Sequence, residues 1–485
     1  MNPGFAQVAL PLPLPEPYTY RIPDALVDRV LPGARVVVPV RHRELIGIVT
    51  ATGTAAPARE ARDILAAPDE APALPEALLR TADWIAGYYG APIGLALRAM
   101  LPGGLWGQSR VIARLADGAP DVGGLAGQVL DRLRDKGGEA PVPVLARALK
   151  RPVWDALGRL ARVGAVALRV EPPEAHRGGA TERIASLTGQ RPTLVQRDAM
   201  FKRAPRQRRL YEVLEELGGQ APVRHLTGRL GFTAPVLSAL QKRGLMQFVA
   251  AERIRDPFSE EPAVPPPTEA TAAQREALVE VERLEPGAAA LLFGVTGSGK
   301  TFVYLEAIRE ALERGRGAIL LVPEISLTPQ TVSRVRGAFG DEVAVLHSGL
   351  SDGERLDAWR LLHRGERRVA VGARSAIFAP VRDLGLVVVD EEHEASYKNG
   401  ESPRYQAREV AVVRARLEGA RLLLGSATPS AETKSRIGAG VALVRLPERI
   451  GARPMPPVEL VDLRTATRVQ AAGAVAWSTV LDDAV

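Results

Sequence analysis

The arrangement of apolar and polar positions divides the chain into three unlike regions. From Thr271 onward, short and almost unbroken apolar runs alternate with stretches of helical period: Leu291-Leu-Phe, Ala318-Ile-Leu-Leu-Val, Val343-Ala-Val-Leu, Val369-Ala-Val, Leu386-Val-Val-Val and Leu422-Leu-Leu. Runs of that kind predict strands buried on both faces, hence a parallel sheet sandwiched between helices. Residues 4–52 instead show several short strand signals separated by turns: Phe5 to Leu10, Tyr18 to Ile22, Gly33 to Val40 and Leu45 to Val49. They predict a small barrel or open sheet, with the proline-alternating stretch from Leu10 extended between the first two strands. Over 75–92 the period changes to helical, with Leu78, Leu79, Ala82, Ile85, Ala86 and Tyr89 on one face.

The middle region contains a repeat. Val129 to Val142 ends in Gly-Gly-Glu-Ala-Pro-Val, and Val213 to Val223 ends in Gly-Gly-Gln-Ala-Pro-Val. In each copy leucines at helical spacing follow, then Gly164 or Gly244 and a strand signal. The order helix, helix, helix, strand pair predicts two winged-helix-like α+β modules, at 122–172 and 205–255, which serve either DNA or protein contacts. Between them, 177–209 carries nine Arg or Lys against Glu182 and Asp198. The stretch 173–204 is expected to be a basic linker, and the basic run is either solvated or lies along a phosphate backbone. A proline-rich stretch at 256–268 marks a boundary before the sheet domain at 269–440, and 441–485 begins a further region.

Composition adds limits. In 485 residues there are 63 Lys+Arg, 56 Asp+Glu and no cysteine, giving a net charge of +7. Disulfides and cysteine-ligated zinc are excluded for this chain, and the charge permits a polyanionic partner without requiring one. No apolar window is long enough for a membrane span and the N-terminus has no secretion signal, so a cytoplasmic location is expected.

Candidate chemistry falls at the carboxyl ends of the predicted strands, where open α/β sheets place ligands. After Leu291-Leu-Phe comes Gly294-Val295-Thr296-Gly297-Ser298-Gly299-Lys300-Thr301, which fits G-x-x-x-x-G-K-[ST] between a strand and an amphipathic helix. Such a loop turns its N–H groups and the helix N-terminus toward a phosphate chain; Lys300 reaches the β- and γ-phosphates and Thr301 ligates Mg²⁺. The valine run at 387–389 ends in Asp390-Glu391, which suit metal binding and orientation of an attacking water. Gln274 either reaches an adenine edge or is simply solvated on its helix. Ser426 and Thr428 fit a loop that senses the γ-phosphate, or a plain turn. In the N-terminal unit, Tyr18 and Tyr20 beside Arg41, His42 and Arg43 either stack on a base or pack in a small core.

The set Gly-Val-Thr-Gly-Ser-Gly-Lys-Thr, Val-Pro-Glu-Ile-Ser-Leu-Thr-Pro-Gln, Leu-His-Ser-Gly-Leu, Gly-Ala-Arg-Ser-Ala-Ile-Phe, Asp-Glu-Glu-His and Gly-Ser-Ala-Thr-Pro resembles the first RecA-like lobe of superfamily 2 helicases, and more narrowly the PriA family. Val-Ala-Leu-Pro-Leu-Pro-Leu, Tyr-Thr-Tyr, Ile-Gly-Ile-Val and Tyr-Tyr-Gly-Ala-Pro-Ile-Gly are similar to that family's 3′-DNA-end-binding domain. The fold expected is therefore an α/β P-loop NTPase lobe preceded by a β-rich DNA-binding domain, 1–105, and the two winged-helix-like modules.

The resemblance implies ATP and Mg²⁺ as cofactors. It implies branched and single-stranded DNA as partners, with single-stranded-DNA-binding protein and other primosome proteins. It also implies 3′→5′ unwinding at stalled forks and D-loops so that a primosome can assemble. Carried over, Lys300, Asp390 and Glu391 are catalytic. Tyr18 and Tyr20 cradle a 3′ terminus, and Arg374, Ser375, Lys398, Arg404 and Tyr405 contact DNA, with Tyr397 in the same aromatic-rich loop. Departures stand out: Thr19 replaces a usually acidic residue, Pro403 a usual tryptophan, and one winged-helix copy is additional. The family's second lobe and its eight zinc-binding cysteines are not found, so a truncated motor that binds ATP but hydrolyses it poorly is expected. Alternatively, the chain is a non-motor adaptor that recognises fork ends and scaffolds partners.

Overall fold

A computed structural model describes residues 4–450 except 41–42, 54–56, 58–59, 107–109, 117, 121, 152, 172–179, 190–191, 254, 258–264 and 266–268, together with 468–470 and 476–478. The N-terminal unit holds β1 (Phe5–Ala9), β2 (Tyr18–Arg21), β3 (Arg35–Val40) and β4 (Arg43–Thr52) in an antiparallel sheet of order β2-β1-β4-β3. The segment 62–66 bonds to both edges: Arg21 N donates to the Arg62 carbonyl and its own carbonyl accepts from Ile64 N, while Val37 exchanges bonds with Leu65 and Ala66. The sheet is thereby drawn almost into a barrel around Val8, Val36, Val38, Val49 and Ile64. Two helices follow, α1 (Glu76–Tyr89) and α2 (Ile93–Met100). Gly90, at φ 60°, ends α1 in the left-handed conformation that suits glycine.

The two repeat copies fold alike, with a topology that differs from the expected one. The first comprises β5 (Arg110–Leu115), α3 (Gly124–Asp135), β6 (Glu139–Pro141), α4 (Val142–Leu149), α5 (Trp154–Arg162) and β7 (Val166–Glu171), with sheet order β6-β5-β7. The second comprises β8 (Ala180–Leu187), α6 (Leu194–Phe201), α7 (Pro205–Glu216), β9 (Gln220–Pro222), α8 (Ala234–Lys242) and β10 (Met246–Arg253), with order β10-β8-β9. Where the first has α4, the second has one π-helical turn over His225–Arg229.

In neither copy does a strand pair follow the last helix. One strand follows, and its antiparallel partner lies ahead of the first helix, so Arg110 pairs with Glu171 and Ala180 with Arg253. Each unit therefore begins and ends at the same place, as a pendant on the chain. The stretch expected as a linker at 173–204 contains β8 and α6, because β8 completes the sheet that would otherwise leave β9 and β10 unpaired. The basic run at 177–209 is partly neutralised: Arg208 pairs with Asp198 and Glu212, and Arg197 with Glu215.

The remaining domain contains α9 (Ala272–Glu282), β11 (Ala289–Gly294), α10 (Lys300–Glu313), β12 (Gly317–Leu321), α11 (Pro329–Phe339), β13 (Val343–Leu346), α12 (Asp352–Arg364), β14 (Val369–Gly372), β15 (Leu384–Val389), α13 (Ala407–Glu418), β16 (Arg421–Ser426), α14 (Ala431–Ser435) and β17 (Val441–Leu446). Its seven strands are all parallel in the order β13-β14-β12-β15-β16-β11-β17. Two short strands, β18 (Arg468–Gln470) and β19 (Ala476–Ser478), pair with each other beyond it.

Residues alternate between two cores along each strand. Leu291, Ile319, Val387 and Leu422 enter one, while Leu292, Leu320, Val388 and Leu423 enter the other. The first core is continuous with Leu78, Leu79, Ala82, Ile85, Leu97 and Met100 of the N-terminal helices. Burial of each of these Leu, Ile and Met side chains stabilises by about 1.5–3 kcal/mol, so α1 and α2 are part of the motor-like domain's own core. Gln406 N donates to Tyr89 Oη at 3.1 Å across the same junction.

The chain enters this domain through a latch. Arg255 holds Asp357 of α12 by its backbone N, Nε and Nη2 at 3.1, 2.7 and 3.1 Å, and Asp256 pairs with Arg336 and Arg367. Residues 258–264 and 266–268 of the proline-rich stretch, Arg41 and His42, and most of 451–485 lie outside the described residues. Among the described residues no helix is long and apolar enough to cross a membrane.

Candidate nucleotide and nucleic-acid sites

The loop between β11 and α10 is shaped by glycine. Gly297 and Gly299 have φ of 83° and 82°, and a Cβ on Gly299 would lie 2.3 Å from Gln274 Nε2. Within the loop Ser298 is 3% exposed, and its hydroxyl has no hydrogen-bond partner among the described residues. A buried orphan donor is costly in a finished core, whereas a hydroxyl inside a cradle of N–H groups suits an anion. Lys300 is held at the mouth: Nζ donates to the Gly294 carbonyl at 3.0 Å and lies 3.6 Å from Glu391 Oε1. Thr301, in the first turn of α10, is exposed. The residues present thus fit a nucleotide triphosphate with its metal.

Asp390 directly follows β15. Its Oδ1 accepts from Tyr304 Oη at 2.9 Å and from Glu391 N at 3.1 Å, and its carbonyl accepts from Tyr397 Oη at 2.6 Å. Burial, reinforced by the Glu391 charge, raises the Asp390 carboxyl above its usual range against the opposing pull of Tyr304 and Lys300. Glu391 adopts φ of 43°, a strained conformation for a residue with a Cβ.

The third residue of the acidic run has a different role. Glu392 is fully buried and accepts from Arg408 Nη1 at 2.8 Å, Ser430 N at 2.7 Å, Ser430 Oγ at 3.0 Å and Thr433 Oγ1 at 2.8 Å. Burial raises its pKa most, yet these donors together hold it below the usual range. His393 bridges to the next strand end, with Nδ1 at 2.9 Å from Ser426 Oγ and Nε2 at 3.3 Å from Thr428 Oγ1. The acidic run and the Ser426–Thr428 turn are therefore one connected unit.

Several expected contacts are placed otherwise. Gln274 is 2% exposed; its Oε1 accepts from Thr271 N and its Nε2 donates to the Gly299 carbonyl at 3.3 Å, so it braces the loop instead of offering an edge to a base. Tyr20 is 4% exposed with Oη on the Pro39 carbonyl, and burial pushes its phenol up to about 12. Tyr20 belongs to the barrel core, leaving exposed Tyr18 as the aromatic available for stacking.

Tyr405 is likewise buried, edge-on to Phe378 with centroids 5.0 Å apart, so it supports the loop from beneath. Lys398 and Arg404 are exposed on that loop, with Lys398 Nζ on the Arg404 carbonyl and 5.1 Å from the Tyr89 ring centroid. Arg374, half-buried, donates to the Ser396 carbonyl at 3.3 Å beside exposed Ser375. Sequence reasoning missed Tyr304 and Arg408. The four-residue spacing of Tyr304 from Lys300 was a usable signal; nothing local marks Arg408.

Two family models match the chain: the 3′DNA-binding domain (3′BD) of PriA over residues 7–102 and the DEAD/DEAH box helicase over 271–437. The Replication restart protein PriA of Bacillus subtilis is 36% identical over 93% of this chain and 56% of its own length. That of Synechocystis is 35% identical over 95% of this chain and 57% of its own. The chain belongs to the PriA family. It spans little more than half the length of these PriA relatives. Among solved structures, the helicase domain of Pyrococcus furiosus Hef is similar at 20% identity over 36% of this chain and 38% of its own, with a TM-score of 0.29. The zinc expected of full-length PriA has no cysteine to hold it in this chain, and no metal-binding cluster of His, Asp and Glu occurs among the described residues.

Proposed function

We propose that this chain is the DNA-end-binding and ATP-binding part of a replication restart motor. The observation that carries this is a physical connection between its two sites. Tyr397 bonds the backbone of Asp390, Lys398 of the same loop lies over Tyr89, and Tyr89 belongs to the helix that extends the 3′-end-binding domain. One exposed loop thus touches both the acidic pair and the DNA-binding domain.

The chain's own groups divide the work at the nucleotide site. The loop amides and Lys300 bind and orient phosphate oxygens, Thr301 and Asp390 would hold Mg²⁺, and Glu391 positions the attacking water and takes its proton. Mg²⁺, when bound, neutralises charge developing between the phosphates. Exposed Tyr18 receives the 3′ terminus of a nascent strand, and Ser375, Lys398 and Arg404 line the path of single-stranded DNA. In the full motor, 3′→5′ unwinding at abandoned forks and D-loops precedes primosome assembly, with single-stranded-DNA-binding protein among the partners.

The test is binding and hydrolysis by purified residues 1–485. Forked DNA with a 3′ end at the branch, and a fluorescent ATP analogue, should both bind, and Lys300→Ala should remove only the second. Hydrolysis should be slow, because an arginine supplied from a second lobe contributes about 10³–10⁵ in rate. Fork affinity no better than for blunt duplex would overturn the proposal.

A further inference from the structure

Tyr304, which lies outside the nucleotide-binding set, reaches the carboxylate of Asp390 from within the core. It lies on α10 four residues beyond Lys300, one turn further along the same face. It is 1% exposed, and its Oη donates to Asp390 Oδ1 at 2.9 Å. The ring is confined by β16, where a Cβ on Gly425 would lie 1.6 Å from Tyr304 Oη. Phenylalanine would fill that slot as well. A phenol there is costly unless its O–H finds a partner, and the partner is one particular oxygen of Asp390. The Glu391 amide donates to the same Oδ1 at 3.1 Å, and among the described residues Oδ2 accepts no hydrogen bond.

From this geometry we infer that Tyr304 is a positioning residue for Asp390: its hydroxyl, with the Glu391 amide, fixes Oδ1 and leaves Oδ2 as the oxygen that serves the divalent cation of a bound nucleotide. Lys300 and Tyr304 share one rigid helix. The phosphate-binding ammonium and the orientation of the metal-binding carboxylate are then both set in part by the same helix. Gly425 has a reason of its own in this arrangement, since any side chain there displaces the phenol. The inference rests on the proposed nucleotide site.

It is tested with residues 1–485 and fluorescently labelled ADP, titrated with and without Mg²⁺. Tyr304→Phe should leave Mg²⁺-free affinity within about twofold of wild type and the thermal midpoint nearly unchanged. The gain in affinity that Mg²⁺ brings should fall roughly 3- to 10-fold, equivalent to one hydrogen bond of about 0.7–1.4 kcal/mol. Gly425→Ala should reproduce the loss of that gain. An undiminished Mg²⁺ gain in Tyr304→Phe would reduce the phenol to core filling and overturn the inference. So would an equal loss with and without Mg²⁺, which marks general damage to the pocket. Wild-type protein that binds neither form of ADP would instead remove the nucleotide site itself, and the inference with it.

Discussion

Replacing Arg408 by methionine isolates the energetics beneath the acidic run. Arg408 is 6% exposed and Glu392 is fully buried, so the change strands a carboxylate that water cannot reach. Ser430 and Thr433 still donate, but the only cation within bonding distance among the described residues is gone. Breaking such a pair from one side costs about 3–5 kcal/mol. For a domain of this size each kcal/mol lowers the midpoint by about 2–4 °C, so the expected fall is about 6–20 °C.

The consequence should extend to function, because Glu392 N donates to the Gly425 carbonyl at 3.0 Å and so ties the acidic run to β16. Scanning calorimetry of residues 1–485 reads the effect, with the relevant transition recognised by its rise on adding nucleotide. Arg436→Met is the control: its pair with Glu409 is partly exposed, at 46% and 19%, and is worth at most about 1 kcal/mol. If Arg408→Met shifted the midpoint no more than Arg436→Met, the placement of Glu392 as a buried, ion-paired support would be refuted.

Three further outcomes are expected. Tyr18→Ala should weaken 3′-end binding, read by fluorescence anisotropy, without lowering the thermal midpoint; Tyr20→Ala should destabilise the barrel by about 3–5 kcal/mol, because the first ring is exposed and the second is core. Gly353→Ala would put a Cβ 2.1 Å from Arg255 Nη1, so it should release the Arg255–Asp357 latch and raise proteolytic cleavage near residue 255. On acidification the motor-like domain should lose stability below about pH 5. The folded-state pKa values of Glu392 and Asp256 lie below their ordinary values, so their contribution is present above the unfolded values and is lost as each protonates. Asp390, raised by burial, works in the opposite direction and partly offsets this. A denaturant midpoint that held level from neutrality to about pH 4 would contradict that sign.

The sheet domain was legible because its signals are local. Apolar runs at 318–322 and 386–389 read as strands buried on two faces, and a glycine-rich loop with Lys300 between a strand and a helix encodes its own geometry in eight consecutive residues. The repeat was legible for the same reason, but its topology was not. That β8 closes the second copy depends on pairing between Ala180 and Arg253, far apart in the chain, which no local pattern records.

The aromatic residues show the same division. Tyr18, Tyr20, Tyr304, Tyr397 and Tyr405 are chemically identical in the sequence, and only packing exposes the first to solvent, buries the second in a barrel, aims the third at the Asp390 carboxylate and the fourth at the Asp390 carbonyl, and sets the last beneath a loop. The sequence by itself determined which chemical groups the chain owns and the order in which strands present them. Tertiary structure alone decided which groups face solvent and which brace them, because burial is fixed by contacts between residues far apart in the chain.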